Sequence, residues 1–237
     1  LNILERWNYR FEKNSKGAGV FGTWEFFYSK KLIKKIGLSY QQWRAIIGNL
    51  KSDHFIFRKI LELDINDTEK DNFWCLNEQN ENMTHPCLYN FVAALEETYS
   101  YLTDNHGYLI HNWEWGKIHH MRYPHAPFSN TLLSFFFHRS RPSGGNSRTA
   151  LASYIRTEAE SLEGVISSNL RIVESLREGD PSFYIIDTGI SGSPFSEHYD
   201  DQMELHAEGK LLEMDSDTEY YTWMKRVWNT VVKIGRA

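Results

Sequence analysis

Cysteine and proline are scarce, with two of the first and six of the second among 237 residues. A small disulfide-stapled scaffold, which replaces a core with several bridges, is excluded by that count. Cys75 and Cys87 stand twelve apart in a stretch rich in Pro, Asn and Glu, a spacing open to one loop-closing bridge or to two free thiols. No Cys-x-x-Cys pair offers a zinc site. Long apolar runs are missing too. The most apolar stretch, Leu132-Leu133 and then Phe135 to Phe137 across Ser134, is far short of the roughly 20 residues that span a bilayer, so no transmembrane segment is expected. Positive charge is not in excess: 26 Lys and Arg face 31 Asp and Glu, a formal net charge of −5. Nucleic-acid partners are not expected, because displacing counterions needs a basic field that this balance does not supply. Repeats, low-complexity tracts and blocks of like charge are absent. The first residue is Leu1 rather than Met, and the residues after it lack the basic and apolar regions of a secretion signal. The expectation is a processed chain or a piece of a longer one.

What is present suffices for a folded core: 41% hydrophobic, 24% charged and 15% aromatic residues. From Gly19 to Ile36, the residues Val20, Trp24, Phe27, Tyr28, Leu32 and Ile36 recur at helical spacing, with lysines toward the end where they complement the helix dipole. Ser39 can cap a second helix running through Trp43, Ile46, Ile47 and Leu50 to Ile60 and Leu63, broken near Ser52-Asp53. Residues 1–68 thus form a helical segment, followed by a polar loop over 69–89. A third helix over Asn90 to Thr103 carries Val92, Leu95, Tyr99 and Leu102 on one stripe. After Gly107 the pattern changes to short runs between Pro, Gly and Ser turns, over Gly116–Tyr123, Thr131–Phe137, Arg148–Ile155, Asn169–Val173 and Ser182–Ile186. Ser196–Ala207, with Ser196 as N-cap and Glu197 in its first turn, and Ser216–Val232 read as helices. The expected class is α+β, antiparallel sheet covered by helices, with 90–237 holding the third helix, the strands and the terminal helices.

Ten histidines invite a search for chemistry. On a strand His119 and His125 would face the same side, which permits a shared metal, but no His-Glu-x-x-His is present and hydrogen-bonded structural roles lead. Gly189-Ile190-Ser191-Gly192-Ser193 has Ser where a nucleophile elbow needs its final Gly. A turn crowding the end of Ile185-Ile186-Asp187 is the better reading. Gly144-Gly145-Asn146 is too short to cradle a phosphate. Thr23, the one early candidate for an N-terminal nucleophile, sits inside an amphipathic helix instead of opening a strand. Trp113 and Trp115 read as core anchors, and Arg171 with Glu174 as an ion pair. The residues alone assemble no catalytic centre.

Taken in order, Trp113-Glu114-Trp115-Gly116-Lys117-Ile118-His119, His125, Gly144-Gly145-Asn146, Leu170-Arg171-Ile172-Val173 and Gly189 through Ser191, Gly192, Ser196, His198, Tyr199 and Asp201 to Gln202 resemble the C-terminal part of the large subunit of the penicillin acylase (penicillin amidase) family. The early Leu4-Glu5-Arg6-Trp7-Asn8, with Ser15 and the helix after it, is similar to a stretch those proteins write as Trp-Asp-Gly. The resemblance implies one portion, residues 1–237, of a four-layer αββα N-terminal-nucleophile hydrolase sandwich. It implies a parent that cleaves a linear amide, freeing an acyl chain from an amine such as a β-lactam nucleus or an acyl-homoserine lactone. In that family a serine freed by self-cleavage attacks, its own α-amine acts as base, and an asparagine and a backbone N–H form the oxyanion hole. Those positions, and the calcium ligands of some members, would precede Leu1. Within this chain the resemblance offers Glu174 as a carboxylate that orients a histidine, and Phe73 and Trp74 as acyl-pocket residues. It calls for no cofactor or metal in this chain, for the upstream part of the same acylase as partner, and for a periplasmic or extracellular setting. Asn8 in place of Asp, and Leu205-His206 in place of a Trp-containing stretch, leave open a non-catalytic structural or interaction subunit.

Overall fold

In a computed structural model the described residues are 2–35, 62, 86–128, 131–155, 162–177 and 180–214. The second expected helix apart from Glu62, the pair Phe73 and Trp74, Cys75 and the terminal helix over Ser216–Val232 lie outside them.

The helical layer starts with α1 (Asn2–Glu5) and α2 (Lys16–Lys35). Ser15 caps α2, its hydroxyl accepting the Ala18 N–H at 3.2 Å, while its carbonyl accepts both the Gly19 and the Trp115 N–H. One serine therefore fixes the start of the helix and docks a distant turn onto it. Thr23 is buried and donates to the Gly19 carbonyl at 2.7 Å, a satisfied core hydroxyl. α3 (Pro86–His106) packs along α2, with Trp24 Nε1 donating to the Phe91 carbonyl at 3.2 Å and the two rings 4.5 Å apart. Residues 86–89, expected as loop, form the first turn of α3; proline suits that place because a helix's first N–H has no partner to lose. Cys87 is buried and disulfide-bonded, which settles its state against a free thiol.

Of the stripe expected on α3, Leu102 is buried and Leu95 partly so, but Val92 and Tyr99 are not. Cys87, Asn90, Ala94, Thr98 and Leu102 face inward, while Val92 and Tyr99 are exposed. On α2, Trp24 and Tyr28 stack at 5.2 Å, and Phe91 of α3 packs against both rings. Thr98 fits the inward face because its hydroxyl bonds the Ala94 carbonyl.

A 3-10 turn (Ile110–Trp113) and α4 (Trp115–Ile118) come next and close the main core, where Ala18, Phe26, Leu102, Trp113, Trp115, Ile118 and Leu162 meet. Trp113 and Trp115 anchor it as expected, their Nε1 groups donating to the carbonyls of Gly107 and Gly145 at 2.8 and 2.7 Å.

Two small sheets carry the rest. The first has the order β2-β1-β4-β3, from β1 (His120–Tyr123), β2 (Arg139–Pro142), β3 (Ser153–Ile155) and β4 (Gly164–Ser167). β1 runs antiparallel to β2, from His120 opposite Pro142 to Tyr123 opposite Arg139, and parallel to β4. The second sheet is antiparallel, β5 (Leu170–Val173), β6 (Phe183–Ile186) and β7 (Leu212–Glu213), in that order. The class is α+β, as expected.

Several expected elements are corrected. The strand over Gly116–Tyr123 begins only at His120, because Trp115–Ile118 coils into a helical turn that seats Trp115. Thr131–Phe137 is no strand: Ser134–Phe137 forms α5, a single turn leaving Leu132 and Phe135 exposed. Within Arg148–Ile155 only β3 is extended, since Asn146 and Thr149 close a turn through Thr149 Oγ1. The helix expected over Ser196–Ala207 shrinks to α6 (Met203–Ala207), with Gln202 at its N-cap position. Ser196 instead accepts the His198 N–H at 3.2 Å, a local turn that competes with the helix.

Candidate functional site

The two sheets and the loop after β6 enclose a cavity of about 380 Å³. β1 and the residues just past it contribute Met121, Tyr123 and His125, Asn169 and Asp187 flank β5 and β6, the loop contributes Ser191, Gly192 and Tyr199, and α6 contributes Met203.

The loop is built to hold its shape. Any Cβ on Gly189 would collide with the His198 carbonyl and press on Asp201, so the chain passes there only as glycine. Ser191 N–H donates to that same His198 carbonyl at 2.9 Å, and Gln202 N–H to Thr188 O at 3.1 Å. The Gln202 side chain accepts the Ile186 N–H at 3.2 Å, and His198 Nδ1 pairs with Asp201 Oδ2 at 2.9 Å. Tyr199 donates its hydroxyl to the Phe137 carbonyl at 2.5 Å beneath the Arg139 guanidinium. The run from Gly189 to Gln202 is thus one self-tied turn across the end of β6, the arrangement expected for its glycines. Ser191 lines the cavity, where its hydroxyl accepts the Ser193 N–H at 3.2 Å, and among the described residues no histidine is hydrogen-bonded to it.

Behind the cavity wall lies a group the sequence pattern did not single out. Arg171 Nη1 donates to the His206 carbonyl at 2.9 Å, and its Nε reaches Ser168 Oγ at 2.8 Å. Arg171 therefore turns to His206 and not to Glu174, which is exposed and makes no ion pair among the described residues; the expected Arg171–Glu174 pair is corrected. His206 Nε2 lies 2.7 Å from the Ser168 carbonyl, which can only accept, and 2.8 Å from Arg171 Nη2, which can only donate, so the two neighbours call for opposite tautomers of the ring; Nδ1 lies 3.5 Å from Tyr123 Oη. Burial and the Arg171 charge push the His206 pKa down to about 4. Burial, helped by Asp187, pushes the Tyr123 phenol up to about 12. Burial also raises the Asp187 carboxyl, against the pull of Arg171. The one signal available for Asp187 was an acidic residue ending the apolar run Ile185-Ile186.

His119 and His125 share no metal. His119 Nδ1 donates to the Leu162 carbonyl at 2.8 Å, and Nε2 accepts the Ser153 hydroxyl at 2.6 Å. His125 stacks on Phe128 at 5.3 Å, with Nδ1 buried and unpartnered. Among the described residues no three His, Cys, Asp or Glu side chains gather to hold a metal ion.

The chain Ser153–His119–Leu162 has the connectivity of a nucleophile, a base and a group that orients it. Access rules out that use. His119 is 0% and Ser153 2% exposed, the imidazole stacks on Trp115 at 4.6 Å, and a Cβ on Gly164 would lie 2.5 Å from Ser153 Oγ. The pair is structural, and it has a pH signature. Burial lowers the His119 pKa from 6.5 to about 4, so between those values the unfolded state binds more protons. The stability conferred is whole above about 6.5 and drains away as pH falls toward 4, by at most about 1.4 kcal/mol per pH unit for this group. Urea titrations between those pH values are expected to show that slope, reduced in His119→Gln; an unchanged slope in the variant would remove His119 as its source.

Among the described residues the cavity and its surroundings offer hydrogen-bonding groups but no accessible nucleophile with a base. The family model for penicillin amidase matches residues 1–221. An acyl-homoserine lactone acylase of Pseudomonas syringae pv. tomato is 23% identical over 188 residues, 76% of this chain and 21% of that protein. One from Pseudomonas putida is 22% identical over 180 residues, 73% of this chain and 20% of that protein. The chain spans about a fifth of the length of the curated relatives it matches. A match running from the first residue through Gly189–Gln202 and beyond makes the chain a member of the penicillin amidase family.

Proposed function

We propose that the chain is the C-terminal portion of an amide hydrolase that separates an acyl chain from an amine, a β-lactam nucleus or an acyl-homoserine lactone being the substrate types implied. The observation that carries this reading is the family match over residues 1–221, joined to relatives named as acyl-homoserine lactone acylases. The catalytic serine, its α-amine base and the oxyanion donors belong on this reading to the upstream part of the parent. The described residues would supply sheet, helices and one wall of a four-layer αββα sandwich. This chain alone would be inactive.

Two places in the chain could reach the chemistry. Glu174 is exposed at the end of β5 and leaves its carboxylate free to orient a histidine of the upstream part. Phe73 and Trp74 would contribute to the acyl pocket. The disulfide at Cys87 supports an oxidising setting, periplasmic or extracellular, over a reducing one. Any calcium would be held by the upstream part.

The processed full-length parent is expected to hydrolyse phenylacetyl or long-chain acyl amides, and a variant with the nucleophilic serine replaced by alanine to lose turnover by several orders of magnitude. Absence of turnover across both substrate sets in correctly processed parent would favour the other reading, a family member kept as a structural or interaction subunit, for which Asn8 at the family's Asp position leaves room.

A further inference from the structure

The second sheet is covered on one face and open on the other. In the β5–β6 register Leu170 lies opposite Ile186, Arg171 opposite Ile185, and Ile172 opposite Tyr184; Tyr184 in turn lies opposite Leu212 of β7. Side chains alternate between faces, so Arg171 and Ile185 share one face and Leu170, Ile172, Tyr184, Ile186 and Leu212 share the other. The first face meets α6: Ile185 is fully buried and Arg171 bonds the His206 carbonyl. On the second, Leu170 and Ile172 are half exposed, and nothing among the described residues covers them.

β5 is also an edge strand, with β6 on one side and no described strand on the other. β5 is short, at four residues, and beyond that carries few of the features that protect a free edge: no proline, no bulge, and one basic residue, turned inward to His206. Val173, on the α6 side, is half exposed as well, and Leu176 just beyond is fully exposed. Apart from Arg171 the strand is apolar on both faces, the pattern of one buried on both sides.

We infer that the outer edge of β5 pairs with a β-strand from the portion of the parent polypeptide that precedes Leu1, which lies over Leu170 and Ile172. The identity of this occupant rests on reading the chain as one part of a longer amide hydrolase. Length supports it, since the matched relatives are about five times as long as the segment they share with this chain. Strength supports it too. A four-residue edge offers a few backbone hydrogen bonds and far less than the roughly 1,600 Å² of a stable intermolecular interface. Such an edge holds a partner only when the partner is already at high effective concentration, as another part of the same folded protein is.

The test places the photo-crosslinking residue p-benzoylphenylalanine at position 172 of the full-length parent, irradiates it, and maps the adduct by mass spectrometry. Adducts to residues preceding Leu1 are expected. Adducts confined to the segment 1–237, its C-terminal 23 residues included, or to a second copy overturn the inference. Turnover measured on the same parent before irradiation separates the two readings. Upstream adducts in an inactive parent defeat only the proposed activity, and an active parent without them defeats only this pairing.

Discussion

Trp115→Ala is expected to cost about 4–8 kcal/mol, enough to bring a domain of ordinary stability close to its unfolding midpoint. Two losses combine. Emptying a fully buried indole site costs about 3–5 kcal/mol, because the surrounding Ala18, Leu102, Ile118 and Leu162 can collapse only in part. The Gly145 carbonyl also loses the Nε1–H donor that reaches it at 2.7 Å, and a buried acceptor left bare costs about 1–3 kcal/mol. His119 would lose the ring it stacks on, with consequences for its hold on Leu162 and Ser153. Trp115→Phe isolates the second loss, keeping most of the packing and removing the donor. Urea unfolding monitored by far-ultraviolet circular dichroism reads both variants. A cost under about 1 kcal/mol for the alanine, well below the range for an emptied aromatic site, would mean that this core is not organised around Trp115.

Gly19→Ala should destabilise by at least about 2 kcal/mol, against the direction that helix propensity predicts. Alanine in the middle of α2 would by itself gain roughly 1 kcal/mol over glycine. The neighbour decides the sign: a Cβ at Gly19 would fall inside the Trp113 carbonyl oxygen, which is backbone and cannot swing away, with Ile118 close behind at 3.1 Å. At Gly22, one turn on, the Cβ would run into the Trp115 ring, so the two glycines let the Trp113–Trp115 segment lie directly on the helix backbone. Overpacking of this kind costs about 1–3 kcal/mol even where side chains can adjust. The same denaturation series measures it, and a stabilised Gly19→Ala would show that the segment and the helix stand further apart.

The elements legible in the sequence were those whose signal is local. α2 announced itself by Trp24 and Tyr28 at helical spacing, and β5 and β6 by short apolar runs between turns. The rest depended on neighbours. β2 reads Arg139-Ser140-Arg141-Pro142, no strand by composition, and is extended because it sits at a sheet edge where Arg139 and Arg141 meet Asp200. Ser134–Phe137 is apolar enough for a strand yet coils into a single exposed turn. On α3 only Leu102 and, in part, Leu95 of the expected stripe turn inward, because the buried face also takes Asn90 and Thr98, polar residues that an apolar periodicity does not mark. At the site, the Gly189–Gln202 turn was legible because glycine crowding and serine-capped turns are written in adjacent residues. Tyr123, Arg171 and His206 were not, since up to 83 residues separate partners whose meeting depends on how the two sheets sit. His206 entered the sequence reading only as a departure from the family pattern.

The ammonium of Lys13 lies 3.0 Å from the Glu208 carboxylate across 195 residues of chain, while its backbone carbonyl receives the Gly116 N–H and that of Phe11 the Gly145 N–H. Those separations set an order in time. During synthesis at about 5–20 residues per second, the segment around Lys13 waits roughly 10–40 s for Glu208 to be made. Its apolar neighbours Trp7, Phe11 and Phe21, which meet one another edge to face or tilted, can cluster at once. An aromatic nucleus near the start of the chain would thus stand in for the core until the late residues arrive to close it.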